Sequence, residues 1–414
     1  MPTPAELDTG WVTAQTGAAL TADRNVAVLA LRRNPKRAHL LVSCLLGKHL
    51  PVSADVALSA AAELAALVRA RVGGTPFVVG FAETATALGH GVARTCSASG
   101  GQAPYAHTTR RAAPAGAHVL AFAEEHSHAV EQVLAILDDA LLRDPERALV
   151  LVDDELSSGR TAVNAVRVLQ SRWPRERYLL ASLLDVRSPA QQAANVAEVA
   201  AFGAELLSMS LAEGSMHLPP DLVATAASLL ARPEERPAVL GPPAPLTQWE
   251  LTVSSPLTGA YGWDAADEQA LRDGIALLAG ELELPGSVLV LGDEEFLYAG
   301  QLLAHALGRQ ALTSSTTRSP ALVVDEPGYP LRTALRFAAT DDPTRAAFAY
   351  NVAPSGCADR GPAPGFDHLV LVLDRPVSAH LRVGLLRQLA GAAGRSLQVV
   401  VVRSGSAPAV QRTA

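Results

Sequence analysis

The sequence predicts an α/β chain built from two parallel-sheet domains in succession, and three observations carry that expectation. Apolar runs of strand length alternate with amphipathic stretches of helix length, the pattern of strands buried on both faces by crossover helices. The alternation breaks at ARPEERPAVLGPPAPLTQ, from Ala231, which is Pro-rich, charged and aperiodic, and then resumes. Several motifs of the first half also recur in the second, in the same order.

In chain order, residues before about Asn25 show little periodicity and read as an N-terminal arm. HLLVSCLLG, from His39, reads as a buried strand, and ADVALSAAAELAALVRARV as a helix with Ser53 as its N-cap. FVVG (77–80) is the next strand and TATALGHGVART its helix. HVLAFA (118–123) is a third strand, SHAVEQVLAILDDALL a helix, ALVLVDD a fourth strand and TAVNAVRVLQSRW its helix, with YLLASLLDV opening one more unit. Beyond the break, GSVLVLGDEEF and DHLVLVLDRP read as strands and LYAGQLLAHALG as a helix, while SGSAPAVQRTA reads as a loose tail. The expected division is an arm (1–24), a first domain (25–231), a linker (232–249), a second α/β domain (250–403) and a tail (404–414).

The repeat is specific at three places. Gly80 and Glu83 precede a helix, as do Gly292 and Glu295. Thr108, Thr109 and Arg110 echo Thr316, Thr317 and Arg318. LVLVDDELSSGRT is matched by LVLVLDRPVSAHL, in which one carboxylate survives as Asp374 and the Ser-Gly-Arg-Thr cluster is gone. On this reading the second domain is a degenerate copy of the first; coincidence between short α/β motifs is the alternative, and different strand orders in the two sheets would decide for it.

The composition bounds the function. Hydrophobic residues make up 49% of the 414 and charged residues 18%, so the chain is globular, and a net charge of −7 without a dense Lys/Arg run argues against nucleic acid as partner. The start lacks a basic region followed by an apolar one, and no apolar run approaches a membrane span, so the expected setting is the cytoplasm, with no membrane partner. Cys44, Cys96 and Cys357 lack metal or redox spacing and read as buried thiols. Lys36 and Lys48 are the only lysines, both within NPKRAHLLVSCLLGKH; the expectation is a place where a compact ammonium on a flexible stem matters, and chance survival at a solvated turn is the alternative.

VLVDDELSSGRTA (150–162) carries the chemistry. Adjacent Asp153 and Asp154 repel one another and need hydroxyls or a cation to hold. Ser157, Ser158 and Gly159 then lead into a helix whose first amides suit an anion. A Walker loop is excluded because neither lysine follows a glycine-rich loop of that form. GHGVAR lacks the third glycine of a dinucleotide fingerprint, and the acidic pocket of a response-regulator receiver needs a lysine that does not occur after Lys48.

The motif resembles the signature of type I phosphoribosyltransferases. The resemblance implies that Asp153 and Asp154 hold the ribose 2′- and 3′-hydroxyls of phosphoribosyl pyrophosphate, and that Ser157, Ser158, Gly159, Arg160 and Thr161 cradle its 5′-phosphate. With LLGKHLPV, GFAETATALGHGV, YAHTTRR, FAEEHSHA and STTRSP, the wider chain resembles orotate-phosphoribosyltransferase-like proteins that carry a C-terminal TRSP domain and occur in tellurium-resistance-type biosynthetic operons. That resemblance implies an enzyme which moves ribose 5-phosphate between pyrophosphate and a small nitrogenous acceptor, in nucleotide or nucleoside-like metabolism, with Mg²⁺ held mainly by substrate oxygens and water beside Asp153 and Asp154.

Such chemistry must neutralise a departing pyrophosphate, for which Lys48, Thr84, Arg110 and Arg111 are the candidates; Glu83 belongs there only as a partner of a cation, or else serves a helix dipole. Glu124, Glu125, His126 and His128 crowd one segment after a strand, where Glu125 and His126 suit general acid or base work and a solvated helix start is the alternative. Thr317, Arg318 and Ser319 suit an anion or the acceptor, with Tyr350 and Asn351 nearby, and the expected role of the second domain is to close over the first. A non-catalytic sensor of phosphoribosyl pyrophosphate, a chain whose second half is the working part, and a homodimer all remain compatible with the sequence.

Overall fold

Apolar runs bounded by glycine or acidic residues become the central strands of two sheets, because a strand covered on both faces has no polar side. The computed structural model describes residues 10–32, 34, 37–97, 101–123, 131–230, 238, 240–256, 259–354 and 365–413. The strands of the first half are β1 (Ala19–Ala22), β2 (Ala27–Leu31), β3 (His39–Ser43), β4 (Val52–Ser53), β5 (Phe77–Gly80), β6 (Tyr105–His107), β7 (His118–Ala123), β8 (Glu131–Ile136), β9 (Leu149–Leu156), β10 (Arg177–Asp185) and β11 (Glu205–His217). Those of the second are β12 (Leu246–Val253), β13 (Val288–Gly292), β14 (Ala311–Ser315), β15 (Ala334–Ala338), β16 (Ala346–Tyr350), β17 (His368–Leu373), β18 (Ser396–Ser404) and β19 (Ala409–Thr413).

The first sheet runs β1-β11-β10-β9-β5-β6 and the second β19-β12-β18-β17-β13-β14-β4. In each, the inner strands are parallel and the strand at one end, β1 or β19, is antiparallel. The sheets correspond strand for strand. A helix (Ala54–Arg69 or Ala265–Glu281) leads to β5 or β13, a second helix (Thr86–Ser97 or Leu297–Leu307) to β6 or β14, and an antiparallel hairpin (β7–β8 or β15–β16) to β9 or β17. Gly80 lies opposite Val152 and His107, as Gly292 lies opposite Val372 and Ser315. Two strands are permuted: β11 follows β10 in the chain whereas its counterpart β12 precedes the whole second unit, and β1 precedes the first unit whereas its counterpart β19 ends the second.

Alternation along the strands sets the layers. Val78, Val150, Val152, Val288, Val290, Val370 and Val372 point inward to a core shared with the four paired helices, so the order is sheet, helices, helices, sheet. Their neighbours point outward: Phe77, Leu149 and Leu151 pack under Val163 and Val166, and Leu289, Leu369 and Leu371 under Leu385 and Leu389. The halves interlock further through β4, which extends the second half's sheet, and through a bridge between Tyr105 and Trp263.

Three expectations need correction. The run SHAVEQVLAILDDALL, expected as a helix, is no long helix over its described residues, 131–142: Glu131–Ile136 is a strand of the β7–β8 hairpin, and only Ala140–Arg143 is helical. Val133 exchanges backbone hydrogen bonds with Thr109 at 2.7 and 3.1 Å, so a strand partner overrides the helix pattern. The tail is not loose either, since β19 pairs with β12. The N-terminal arm contains a helix (Gly10–Thr16) and β1, which pairs with β11.

Gly292 is fixed by the strand-to-helix turn, where an added Cβ would lie 2.5 Å from Leu297 Cα and 2.9 Å from the Phe296 carbonyl oxygen. Because both obstacles are backbone, Gly292→Ala is expected to cost about 2–3 kcal/mol, measured by denaturant unfolding, with a lowered midpoint.

Candidate functional site

A cavity of about 760 Å³ opens at the C-terminal ends of β5 and β9 and is walled by both halves of the chain. The acidic pair forms one end. Asp153 and Asp154 lie within β9 rather than beyond it, half-buried, and the backbone N–H of Asp154 donates to Asp153 Oδ1 at 3.0 Å. Burial and the neighbouring Asp154 push the Asp153 carboxyl well above its ordinary value, the condition of a carboxylate without a compensating cation. Glu155 differs, because Arg37 pairs with it at 2.5 Å; burial still raises its carboxyl above the usual range.

Gly159 then turns the chain into the Arg160–Arg172 helix with φ 74°. An added Cβ would lie 2.1 Å from Asn195 Oδ1, so both the left-handed backbone and the space demand glycine. Asn195 is itself fixed by Arg187 at 3.0 Å, and Arg187 by buried Asp185 at 2.7 Å. The Arg160 N–H donates to Ser158 Oγ at 3.3 Å, and the helix start has no side-chain cap. A loop held this rigidly with a helix N-terminus behind it suits a phosphate.

The opposite wall gathers cations about Glu83. Lys48 Nζ lies 2.5 Å from Thr84 Oγ1 and 3.3 Å from Glu83 Oε1, and Arg318 Nε lies 3.8 Å from Glu83 Oε2. Burial works to raise the Glu83 carboxyl, but Lys48, Arg110, Arg318 and a bond from Thr317 outweigh it and bring it down to about 2. Glu83 is thus an ionised partner of the cations. Beside it, His49 is 5% exposed with Nε2 unbonded among the described residues; burial first, then Lys48 and Arg32, lower its pKa to about 3, so the ring is neutral.

The second half supplies the rest. Thr317, Arg318 and Ser319 line the cavity, with Arg336, Arg345, Phe348 and Tyr350 from the β15–β16 hairpin. Arg318 Nε donates to Glu294 Oε2 at 2.8 Å, and Arg345 pairs with Glu294 Oε1 at 2.8 Å. Burial, Glu83 and Asp293 raise the Glu294 carboxyl to about 7 against these arginines. Eight Arg or Lys side chains and four carboxylates line the cavity, in a chain whose net charge is −7. The site is therefore a positive pocket in an acidic protein, with one uncompensated acidic corner.

Of the residues expected from sequence, the cavity assembles Lys48, Glu83, Thr84, Arg110, Asp153, Asp154, Ser157, Ser158, Gly159, Arg160, Thr161, Thr317, Arg318 and Ser319. Arg111 is placed elsewhere. Its guanidinium pairs with Asp374 of the second half, with Nε 3.8 Å from Glu295 Oε2. Glu124, Glu125, His126 and His128 lie outside the described residues, as do Lys36 and Cys357. Cys44 and Cys96 are buried free thiols, raised to about 11 by burial. Sequence reasoning missed His49, Arg37, Arg336, Arg345 and Phe348; only His49, adjacent to the singled-out Lys48, carried a signal.

Among the described residues no group of three or more His, Cys, Asp or Glu could hold a metal ion. The donor set fits a cation that arrives with a ligand: Asp153 and Asp154 are adjacent carboxylates on the cavity wall. No helix among the described residues is long and apolar enough to cross a membrane.

Residues 26–215 match a family model described as phosphoribosyl transferase, and residues 257–389 one described as the TRSP domain, C-terminal to that transferase. No curated protein matches. Solved structures that resemble the chain include an adenine phosphoribosyltransferase from Giardia lamblia (18% identity, 37% of this chain and 78% of that one, TM-score 0.27). Another is the adenine phosphoribosyl transferase of Trypanosoma brucei (11%, 45% and 76%, TM-score 0.33), and a third the orotate phosphoribosyltransferase of Aeropyrum pernix (17%, 48% and 90%, TM-score 0.26). At these TM-scores the likenesses carry no argument about this chain. The two family matches, in this order, take in well over half of the sequence, and the chain belongs to the phosphoribosyltransferase family in which a TRSP domain follows the transferase domain.

Proposed function

We propose that the chain transfers ribose 5-phosphate between phosphoribosyl pyrophosphate and a small nitrogenous acceptor, in the cytoplasm, in nucleotide or nucleoside-like metabolism. The observation that carries this reading is the polarity of the cavity: an uncompensated acid pair and a rigid Gly159 turn at one end, and Lys48, Arg110 and Arg318 clustered at the other. A sugar diol and a 5′-phosphate suit the first end, and a pyrophosphate the second.

Bond cleavage at C1 leaves positive charge on the sugar and negative charge on the departing pyrophosphate. Asp153 and Asp154 accept hydrogen bonds from the 2′- and 3′-hydroxyls and orient the ring, while the Ser157–Thr161 turn holds the 5′-phosphate. Lys48, Thr84, Arg110 and Arg318 stabilise the leaving group, and Glu83 keeps Lys48 and Arg318 in place. Mg²⁺, when bound beside Asp153 and Asp154, supplies further charge neutralisation on the donor. The acceptor enters on the side formed by His49, Phe348, Tyr350 and Arg336, so the second half contributes to its recognition.

The direct test is pyrophosphate release from the donor, with Mg²⁺ and a panel of nitrogenous bases. Acceptor-dependent release supports transfer; tight donor binding without turnover supports a sensor instead. Asp153→Asn is expected to lower kcat/KM about a hundredfold, on the order of 2–3 kcal/mol of transition-state binding.

The same variant should raise the melting temperature of the ligand-free protein at pH 7. The folded Asp153 carboxyl holds its proton more tightly than the unfolded one, near 3.8, so wild-type stability falls as pH rises from that value through the folded pKa. The advantage of Asn is therefore present at neutral pH and disappears below about pH 4, as melting curves at both would show. Arg318→Met should slow turnover by about tenfold or more without loss of the fold, which steady-state rates and circular dichroism check together.

A further inference from the structure

The two halves exchange the same contacts in both directions. Thr109 Oγ1 donates to Glu295 Oε2 at 2.7 Å and the Arg110 N–H to Glu295 Oε1 at 3.1 Å. In return Thr317 bonds Glu83, and the Arg318 N–H donates to Glu83 Oε2 at 3.4 Å. The next residue in each loop is held alike: the Arg111 N–H donates to Thr109 Oγ1 at 3.1 Å, and the Ser319 N–H to Thr317 Oγ1 at 3.1 Å. The strand ends also correspond. Asp154 stands two residues beyond Val152 and Asp374 two beyond Val372, and those valines face Gly80 and Gly292 in the same register.

Each Thr-Thr-Arg loop therefore crosses into the other half's strand-end site, and the residue that follows it decides what happens there. In the second half's site that residue is Arg111, whose guanidinium, 18% exposed, pairs with an Asp374 side chain 4% exposed. Arg375 lies on the other carboxylate oxygen at 3.0 Å, and these two arginines overcome burial to hold the Asp374 carboxyl below its usual range. In the first half's site the residue is Ser319, which lines the open cavity together with Asp153 and Asp154.

We propose that the C-terminal half serves as a built-in partner subunit whose own ribose-phosphate site is permanently closed by Arg111 on Asp374, and that Ser319, the short counterpart of Arg111, keeps the single working site open. The inference rests on the reading of that cavity as a donor site. It makes Ser319 a residue that determines access: an arginine there would reach the acid pair as Arg111 reaches Asp374, taking the place of the sugar diol and its cation.

The test is titration calorimetry of the full chain with phosphoribosyl pyrophosphate and Mg²⁺, for the parent and for Ser319→Arg. The expected parent stoichiometry is one donor per chain, and the expected effect of Ser319→Arg is a loss of affinity of a hundredfold or more. Thermal melting separates a plug from damage. A plug neutralises the acid pair and leaves the ligand-free melting temperature equal or higher, whereas misfolding lowers it.

Ser319→Lys is the second variant, with the same expected direction and a smaller loss. Two donors per parent chain, or parent-like affinity in whichever of the two variants melts like the parent, would overturn the proposal. If the parent itself binds no donor, the reading of the cavity fails first.

Discussion

Glu83 and Glu295 are the constraint on which the arrangement depends. Each carboxylate sits at the first turn after a sheet strand, and each accepts from a Thr hydroxyl and an Arg amide of the opposite half. A buried carboxylate is costly unless hydrogen bonds and cations meet it: Glu295 draws on Thr109, Arg110 and Arg111 of the first half, and Glu83 adds Thr317 and Arg318 of the second to its own half's Lys48 and Arg110. Docking the halves satisfies both at once. The four helices between the sheets bury the apolar area that drives association, while the crossed carboxylates fix its register, bringing the Thr316–Ser319 loop over β9 and the Thr108–Arg111 loop over β17.

That register explains the electrostatics of the cavity. Lys48, Arg110 and Arg318 converge on Glu83, with Arg318 held also by Glu294, and the cavity wall they form carries more arginine and lysine than carboxylate. Asp153, some residues away on the neighbouring strand, receives none of that positive charge and stays protonated more readily than an ordinary aspartate. A ligand with a diol, a cation and a polyanionic tail satisfies both ends together, and neither end is satisfied without one. Functional sites commonly carry such unmet demand as a cost to stability.

Much of this was legible in the sequence, because a strand end followed by Asp-Asp and Ser-Ser-Gly-Arg-Thr imposes local chemistry that few other folds share. Gly80 with Glu83 and Gly292 with Glu295 signalled the repeat for a physical reason: glycine is the residue that lets a helix cross so close to the strand before it. What stayed hidden depends on partners distant in the chain. Glu131–Ile136 carries an apolar spacing that suits a helix, and pairing with β7 on one side and a bridge to Thr109 on the other make it a strand. The AVQRT tail has no apolar alternation of its own, and nothing local says that β12 waits for it. Arg111 looked like its neighbour Arg110, and only the docked halves reveal that one faces the cavity and the other the opposite site.

Two equivalent sites in one chain need not both survive, and the sequence differences fall where a closed site would put them. The second half lacks the Ser-Gly-Arg-Thr turn after Asp374, and the position matching Asp153 is Leu373, buried and apolar. With one acid instead of two adjacent ones, Arg111 and Arg375 between them satisfy the carboxylate that remains. The first half keeps both acids and the turn, and faces a serine. An ion pair in one site and an open acid pair in the other are thus alternative answers to the same crossed geometry, and the residue following Thr-Thr-Arg selects between them.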